Sequence, residues 1–218
     1  MPFQGIPFAA LDFYEDLEAD NSKAFWTAHK HIYDEQVRLP LQELAAELAD
    51  EFGTPKFFRP YRDVRFARDK TPYKDHQGVY FADCRRYLQI GAAGLYLSGG
   101  IYEMAADQVA RYRRAVAEDL TGQALQAAIG AAGRAKLTVV GQQLTRVPSG
   151  FARDHPREEL LRHKSLHANR AFGSPDWLKT ARAKAEIVKA WRGMQPLIDW
   201  LEKHVGASDQ PIERKGSA

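Results

Sequence analysis

The sequence predicts an α+β fold, and three observations carry that reading. Helix-period apolar stripes fill the first fifty residues. Aromatic and β-branched residues then alternate with polar ones in short runs between Lys56 and Tyr102. Helical patterning returns from about Met104 and is broken by one more strand-like run at 137–145. Strands and helices are thus grouped along the chain, which favours a central antiparallel sheet packed with N-terminal and C-terminal helices over a parallel α/β sheet.

Taken in order, Asn21 or Ser22 can cap a helix whose apolar positions Trp26, Tyr33 and Val37 recur at helical spacing, with Phe25 and Ile32 beside them. Pro40 is expected to start a second helix, with Leu41, Leu44, Leu48 and Phe52 on one stripe and Gly53 as its stop. Strand-like runs follow at 57–67, 77–84, 86–91 and 94–98, the last two separated by Gly-Ala-Ala-Gly. Met104 to Leu120 reads as one helix with Val109, Tyr112, Val116 and Leu120 as its stripe. Pro156 opens a short helix capped by Asp154 or His155. Ser174-Pro175-Asp176 opens the last helical region, which Pro196 is expected to divide.

With 218 residues, 44% of them hydrophobic and 27% charged, and a mean hydropathy of −0.48, the composition is that of a globular protein rather than a disordered or membrane one. One domain over residues 1–205 is expected. The tail 206–218 has no apolar period and is expected to be disordered. Nothing approaches the roughly eighteen consecutive apolar residues of a membrane span, and the start lacks a signal-peptide pattern, so a cytoplasmic protein with no membrane partner is expected. Cys84 stands alone in a strand-like stretch, where a small buried side chain is its expected role.

Charge is distributed unevenly. Between Lys56 and Lys74 seven Lys and Arg face Asp63 and Asp69, a local excess of five positive charges in a chain whose net charge is +3. Clustered positive charge attracts phosphate, carboxylate or nucleic acid. Arg62, Arg65 and Arg68 supply planar forks suited to oxyanions, and Lys70 and Lys74 supply point charges. Thr71-Pro72 should make the connection stiff. The opposing reading is that Asp63 and Asp69 pair with these bases and the network only staples the sheet. An enzyme would also need a proton carrier, for which Asp69 and His76 are the near candidates and His155 a distant one.

Other signals are weaker. His29 and His31 diverge on a helix, and His163 and His167 share a face only if a helix continues through Ser165, so no metal site is expected. No phosphate loop, no G-x-S-x-G and no cofactor motif is present. Gly99-Gly100 can be read as a turn feeding a helix that carries Arg111 and Arg114, and aromatic positions such as Phe57, Phe58, Tyr61, Tyr73, Tyr80 and Phe81 as a stacking surface for single strands. Acidic residues near that turn and the frequency of aromatic residues in strand cores favour structural roles for both.

Four blocks of the chain resemble the domain of unknown function number 2461 family, known from bacteria and fungi. They are Phe8 to Tyr33; R-D-V-R-F-A-R-D-K-T-P-Y-K from Arg62 to Lys74; G-L-Y-L-S-G-G-I-Y at 94–102; and R-V-P-S-G-F-A-R-D-H-P-R-E-E-L-L-R-H-K at 146–164. The second block is the specific one. Asp20-Asn21 stands where an Asn pair is expected. The resemblance implies a soluble single-domain protein and supplies no activity, cofactor or catalytic residue. Three functions follow from the residues: a protein binding a small phosphate-type anion through Arg62, Arg65, Arg68, Lys70 and Lys74; an enzyme using that cradle with Asp69 or His76 as acid-base; or a structural or protein-interaction module with an internal ion network. The modest net charge leaves room for weak nucleic-acid binding only.

Overall fold

The computed structural model describes residues 2–65 and 69–210. Helices α1 (Ala9–Ala19), α2 (Lys23–Ile32) and α3 (Leu39–Phe52) come first. Strands β1 (Pro55–Phe57), β2 (His76–Phe81), β3 (Arg86–Gly91) and β4 (Gly94–Ile101) follow. Then come α4 (Ala106–Ala117), α5 (Asp119–Arg134), β5 (Thr138–Val140), α6 (Glu158–Leu161), β6 (Leu166–Gly173) and α7 (Arg182–His204). The strands form one sheet in the order β1-β2-β3-β4-β6-β5, so the protein is α+β with an antiparallel sheet. In its ladders Lys56 faces Tyr80, Val79 faces Leu88 and Val139 faces Ala168. One compact unit runs through residue 97 and takes in Ala171–Lys189; the other takes in Ser98–Arg170 and the chain from Ala190.

In the first unit Ser22 caps α2, its Oγ accepting from the Phe25 N–H at 3.1 Å. The stripe Trp26, Tyr33 and Val37 is buried, as are Leu41, Leu44, Leu48 and Phe52. A π-helical turn at Tyr33–Arg38 joins α2 to α3, with the Leu39 N–H on the Asp34 carbonyl. Pro40 therefore lies within a continuous helical run and does not begin a separate helix. The widened turn gives its ring room against the preceding carbonyls. Gly53, at φ 83°, ends α3.

Of the run 57–67, the described residues 58–65 continue no strand beyond Phe57, and residues 66 and 67 lie outside the described residues. Tyr61 and Tyr73 form an isolated bridge, flanked by Arg62 N–H to Pro72 O at 2.9 Å and Lys74 N–H to Pro60 O at 2.8 Å. Pro60 and Pro72 can accept but not donate, so each flanking pair makes one bond instead of two and the ladder goes no further. Likewise β2 stops at Phe81, and half-buried Cys84 lies on a 3-10 turn, Ala82–Cys84, rather than in a strand.

In the second unit the helix expected over 104–120 is two helices. Glu118, at φ −69° and ψ 136°, is extended between α4 and α5, which leaves Tyr112 and Val116 buried but Leu120 79% exposed. Residues 166–173, to which the sequence reading assigned no strand, form β6, so His163 and His167 share no helix face. The last helix runs unbroken through Pro196, with Trp191, Met194, Leu197, Ile198 and Leu201 buried around it. Packing of that stripe outweighs the one backbone bond the proline removes. Of the expected tail, the first residues are tied to α4: Gln108 Nε2 donates to Gly206 O at 2.7 Å and Ser208 Oγ to Asp107 Oδ1 at 2.6 Å. Residues 211–218 lie outside the described residues. Among the described residues no helix is long and apolar enough to cross a membrane.

Candidate functional site

The basic segment is pinned at both ends by polar side chains of the first unit. Tyr33 OH donates to Gln77 Oε1 at 2.6 Å, and Gln77 Nε2 donates to the carbonyls of Phe58 at 2.9 Å and Gly78 at 2.8 Å. Burial pushes the Tyr33 hydroxyl up to about 12, so it stays a donor. At the far end Asn21 bonds Tyr73 twice, donating to its carbonyl at 3.1 Å and accepting from its N–H at 3.0 Å. Trp26 stacks on the Tyr73 ring with centroids 4.4 Å apart. A chain that pairs with itself only at the Tyr61–Tyr73 bridge among the described residues is thereby held against α2 and β2.

Between these anchors the cations divide into paired and unpaired. Arg62 donates through Nη1 to Asp69 and to Thr71 Oγ1, and its Nη2 lies 3.5 Å from Asp75 Oδ2. Arg65 closes a two-pronged contact on Asp63, at 2.9 Å from Nε and 2.7 Å from Nη2. That fork holds the Asp63 carboxyl down to about 2. Arg65 is 76% exposed and Asp63 44%, so water screens the pair and its net contribution to stability is small. Lys70 donates to the Val64 carbonyl at 3.0 Å. Arg68 lies outside the described residues, with Phe66 and Ala67.

Lys74 is different. Its ammonium lies 5.3 Å from the centroid of the Phe58 ring and has neither hydrogen bond nor carboxylate partner among the described residues. Burial first, then the nearby Arg59 and Arg62 guanidinium groups, pulls it below the usual lysine range. Arg59 is exposed and likewise makes no hydrogen bond or ion pair among the described residues. Phe58 leans toward Tyr87, with ring centroids 6.1 Å apart, and Tyr87 lies across Gly78, where a Cβ would come within 2.5 Å of its hydroxyl. The Phe58 ring thus lies against Lys74, which has two further cations near it.

Of the two acid-base candidates, Asp69 is occupied. Its oxygens accept from the Thr71 N–H and hydroxyl and from Arg62, contacts that hold its carboxyl below the usual range, the Thr71 N–H most of all. His76 instead meets Asp75, Nδ1 to Oδ1, at 2.7 Å. A carboxylate only accepts, so Nδ1 carries the proton of that contact; Nε2 makes no hydrogen bond among the described residues. Burial pushes the Asp75 carboxyl up, but the contacts with His76 and Arg62 outweigh it and hold the group below its ordinary range.

The remaining candidates do other things. Gly99 and Gly100 lie inside β4 and form no turn; a Cβ on Gly100 would sit 2.6 Å from the Leu166 carbonyl. Arg111 donates to Val205 O at 2.6 Å, and His155 Nδ1 accepts from the Arg157 N–H at 3.0 Å. His29 stacks on Phe25. Buried His163 donates from Nδ1 to Ser165 O at 3.0 Å and meets Gln143 at 2.7 Å. Among the described residues no three His, Cys, Asp or Glu are grouped to hold a metal ion. A groove of about 450 Å³ between α5 and α7 is lined mostly by apolar side chains, Ala124, Ala127, Pro196 and Trp200 among them.

A family model described as conserved hypothetical protein (DUF2461) matches residues 9–200. The chain belongs to the DUF2461 family. No curated protein and no solved structure matches it. The match covers every element from α1 into α7, including the basic segment and both of its anchors. In this DUF2461 protein the charge count pointed to Arg62 and Lys74 and included Arg59 without singling it out, and it passed over Asn21, Gln77 and Asp75. Asp75 sits one residue beyond the basic block, and counting it would have shown a third carboxylate in the segment, the second within reach of Arg62.

Proposed function

We propose that this DUF2461 protein, acting in the cytoplasm, binds a small phosphate-type anion where Lys74, Arg59 and Arg62 come together. The supporting observation is Lys74, a partly buried ammonium with two guanidinium groups near it and no carboxylate against it among the described residues. Like charges held together repel, and an oxyanion between them removes the repulsion while accepting from the Arg forks. The ligand set is thereby narrowed. Arg65 and Lys70, already engaged with Asp63 and the Val64 carbonyl, belong to its rim. Asp63, Asp69 and Asp75 interleave with the bases, so any nucleic-acid binding is weak and lost at moderate salt.

A second reading, an enzyme acting on the bound anion, is favoured by one contact. The Asp75–His76 pair has the base-and-orienter arrangement used in general acid-base catalysis, with Nε2 free among the described residues. Thermal unfolding in phosphate and in chloride at equal, low ionic strength tests the anion site, because a ligand that binds only the native state raises its stability. Phosphate is expected to raise the midpoint, and Lys74→Gln to abolish the difference. Coincident curves for the unaltered protein would count against the site.

A further inference from the structure

We infer that the Lys74 amine is a nucleophile that forms an imine with small carbonyl compounds carrying a carboxylate or phosphate. The inference rests on the anion site proposed above and adds to it a covalent step and a substrate class. Three features of the first unit place the necessary groups together. The Lys74 Nζ stands over Phe58 with no acceptor for its protons among the described residues, whereas Lys30, Lys179 and Lys184 each face a carboxylate. The Phe58 ring flanks it, its ammonium is partly buried, and Arg59 and Arg62 supply cations for the anionic end of the carbonyl compound. An amine kept from water beside other cations gives up its proton more readily, and the neutral form is the attacking species.

The step balances without an outside oxidant or reductant. The nitrogen lone pair adds to the carbonyl carbon, forming a C–N bond while the oxygen takes up a proton. The carbinolamine then loses that oxygen as water, leaving C=N. Amine and carbonyl thus give imine and water. The His76 Nε2, free among the described residues and on a ring oriented through Asp75, is two residues along the chain and is the group assigned here to exchange these protons.

The test uses the full chain with glyoxylate as an anionic aldehyde and glycolaldehyde as a neutral one, each with cyanoborohydride to reduce any imine to a stable amine. Capture at each lysine is read by mass spectrometry of the digest. Lys74 is expected to be captured several-fold faster than Lys30 or Lys179, faster by glyoxylate than by glycolaldehyde, and inorganic phosphate is expected to slow capture at Lys74 alone. Capture of Lys74 no faster than of Lys30 overturns the nucleophile; if phosphate still raises the melting midpoint, the anion site survives that failure. Fast capture by both aldehydes alike, unaffected by phosphate, overturns the anionic selectivity and with it the site on which the inference rests.

Discussion

Asn21 and Tyr73 are 52 residues apart, and the side-chain amide of the first meets the backbone of the second in both directions, at 3.1 and 3.0 Å. The amide does for this short stretch what a neighbouring strand does in a ladder. Asn21→Ala leaves a part-buried N–H and carbonyl without partners and is expected to cost about 1–3 kcal/mol. Asn21→Asp keeps the acceptor and loses the donor, so it should fall between. Lys74 is the next residue, and the stabilisation by phosphate should shrink in the same order. Denaturant unfolding with and without phosphate measures both; an unchanged phosphate response in a destabilised Asn21→Ala would separate this anchor from the site.

Arg157 offers a second test, in the other unit. Its side chain is 4% exposed, with Nε on the Val116 carbonyl at 2.7 Å and Nη2 on the Ala117 carbonyl at 3.0 Å and on Asp119 at 2.7 Å. One guanidinium therefore closes the end of α4 and the start of α5. Arg157→Met strands two carbonyls and is expected to cost roughly 2–5 kcal/mol. Asp119 is 84% exposed, so Asp119→Asn should cost well under half of that. Urea unfolding of the two variants ranks them; equal losses would make the ion pair, and not the carbonyls, the important contact.

That side chain also explains a limit of the sequence. Val116-Ala117-Glu118-Asp119-Leu120 contains neither Gly nor Pro, so nothing local announces the break at Glu118; a residue some forty positions later makes it. Strand β6 was hidden for a related reason. Leu-His-Ala-Asn-Arg-Ala lacks β-branched residues, and its pairing with β5 decides its form. By contrast β2, β3 and β4 follow the aromatic and β-branched alternation. At the site, the cationic block was legible as composition, because charge needs no folding to be counted. Which cation stays unpaired was not, since Asn21, Gln77 and Phe58 act on it across sequence distance.

His163 and His167 give the protein a pH dependence of definite sign. Burial holds both below the ordinary histidine range, with Arg162 adding to the effect on His163, and the His167 Nδ1 is buried without a hydrogen-bond partner among the described residues. His204 is shifted in the same direction. The unfolded chain takes up protons near the usual value of about 6.5, where the folded protein resists them. Stability is therefore fully present above that pH and falls as the pH drops through the lowered folded values. Denaturant midpoints at pH 7.5 and 5.5 are expected to show the loss, and His167→Gln to reduce it. Equal midpoints at the two pH values would contradict the buried neutral pair.

Lys74 is shifted in the same direction but titrates in an alkaline window, and it separates a binding site from a structural staple. Its folded-state proton affinity is lowered, so the unfolded chain holds that proton more tightly and the charged lysine weakens the empty fold at neutral pH. Stability should recover as the pH rises through the lowered value toward the ordinary lysine range near 10.4. Lys74→Gln removes the repulsion with Arg59 and Arg62 and is expected to be neutral or mildly stabilising at pH 7, to lose the alkaline recovery, and to lose the response to phosphate. Arg62→Gln should behave otherwise, because it releases Asp69, Thr71 and Asp75 together and loosens the segment that presents Lys74. Denaturant unfolding of both variants at pH 7 decides the matter. If Lys74→Gln costs as much as Arg62→Gln, Lys74 is part of the architecture, and the excess of positive charge in this segment has no ligand to explain it.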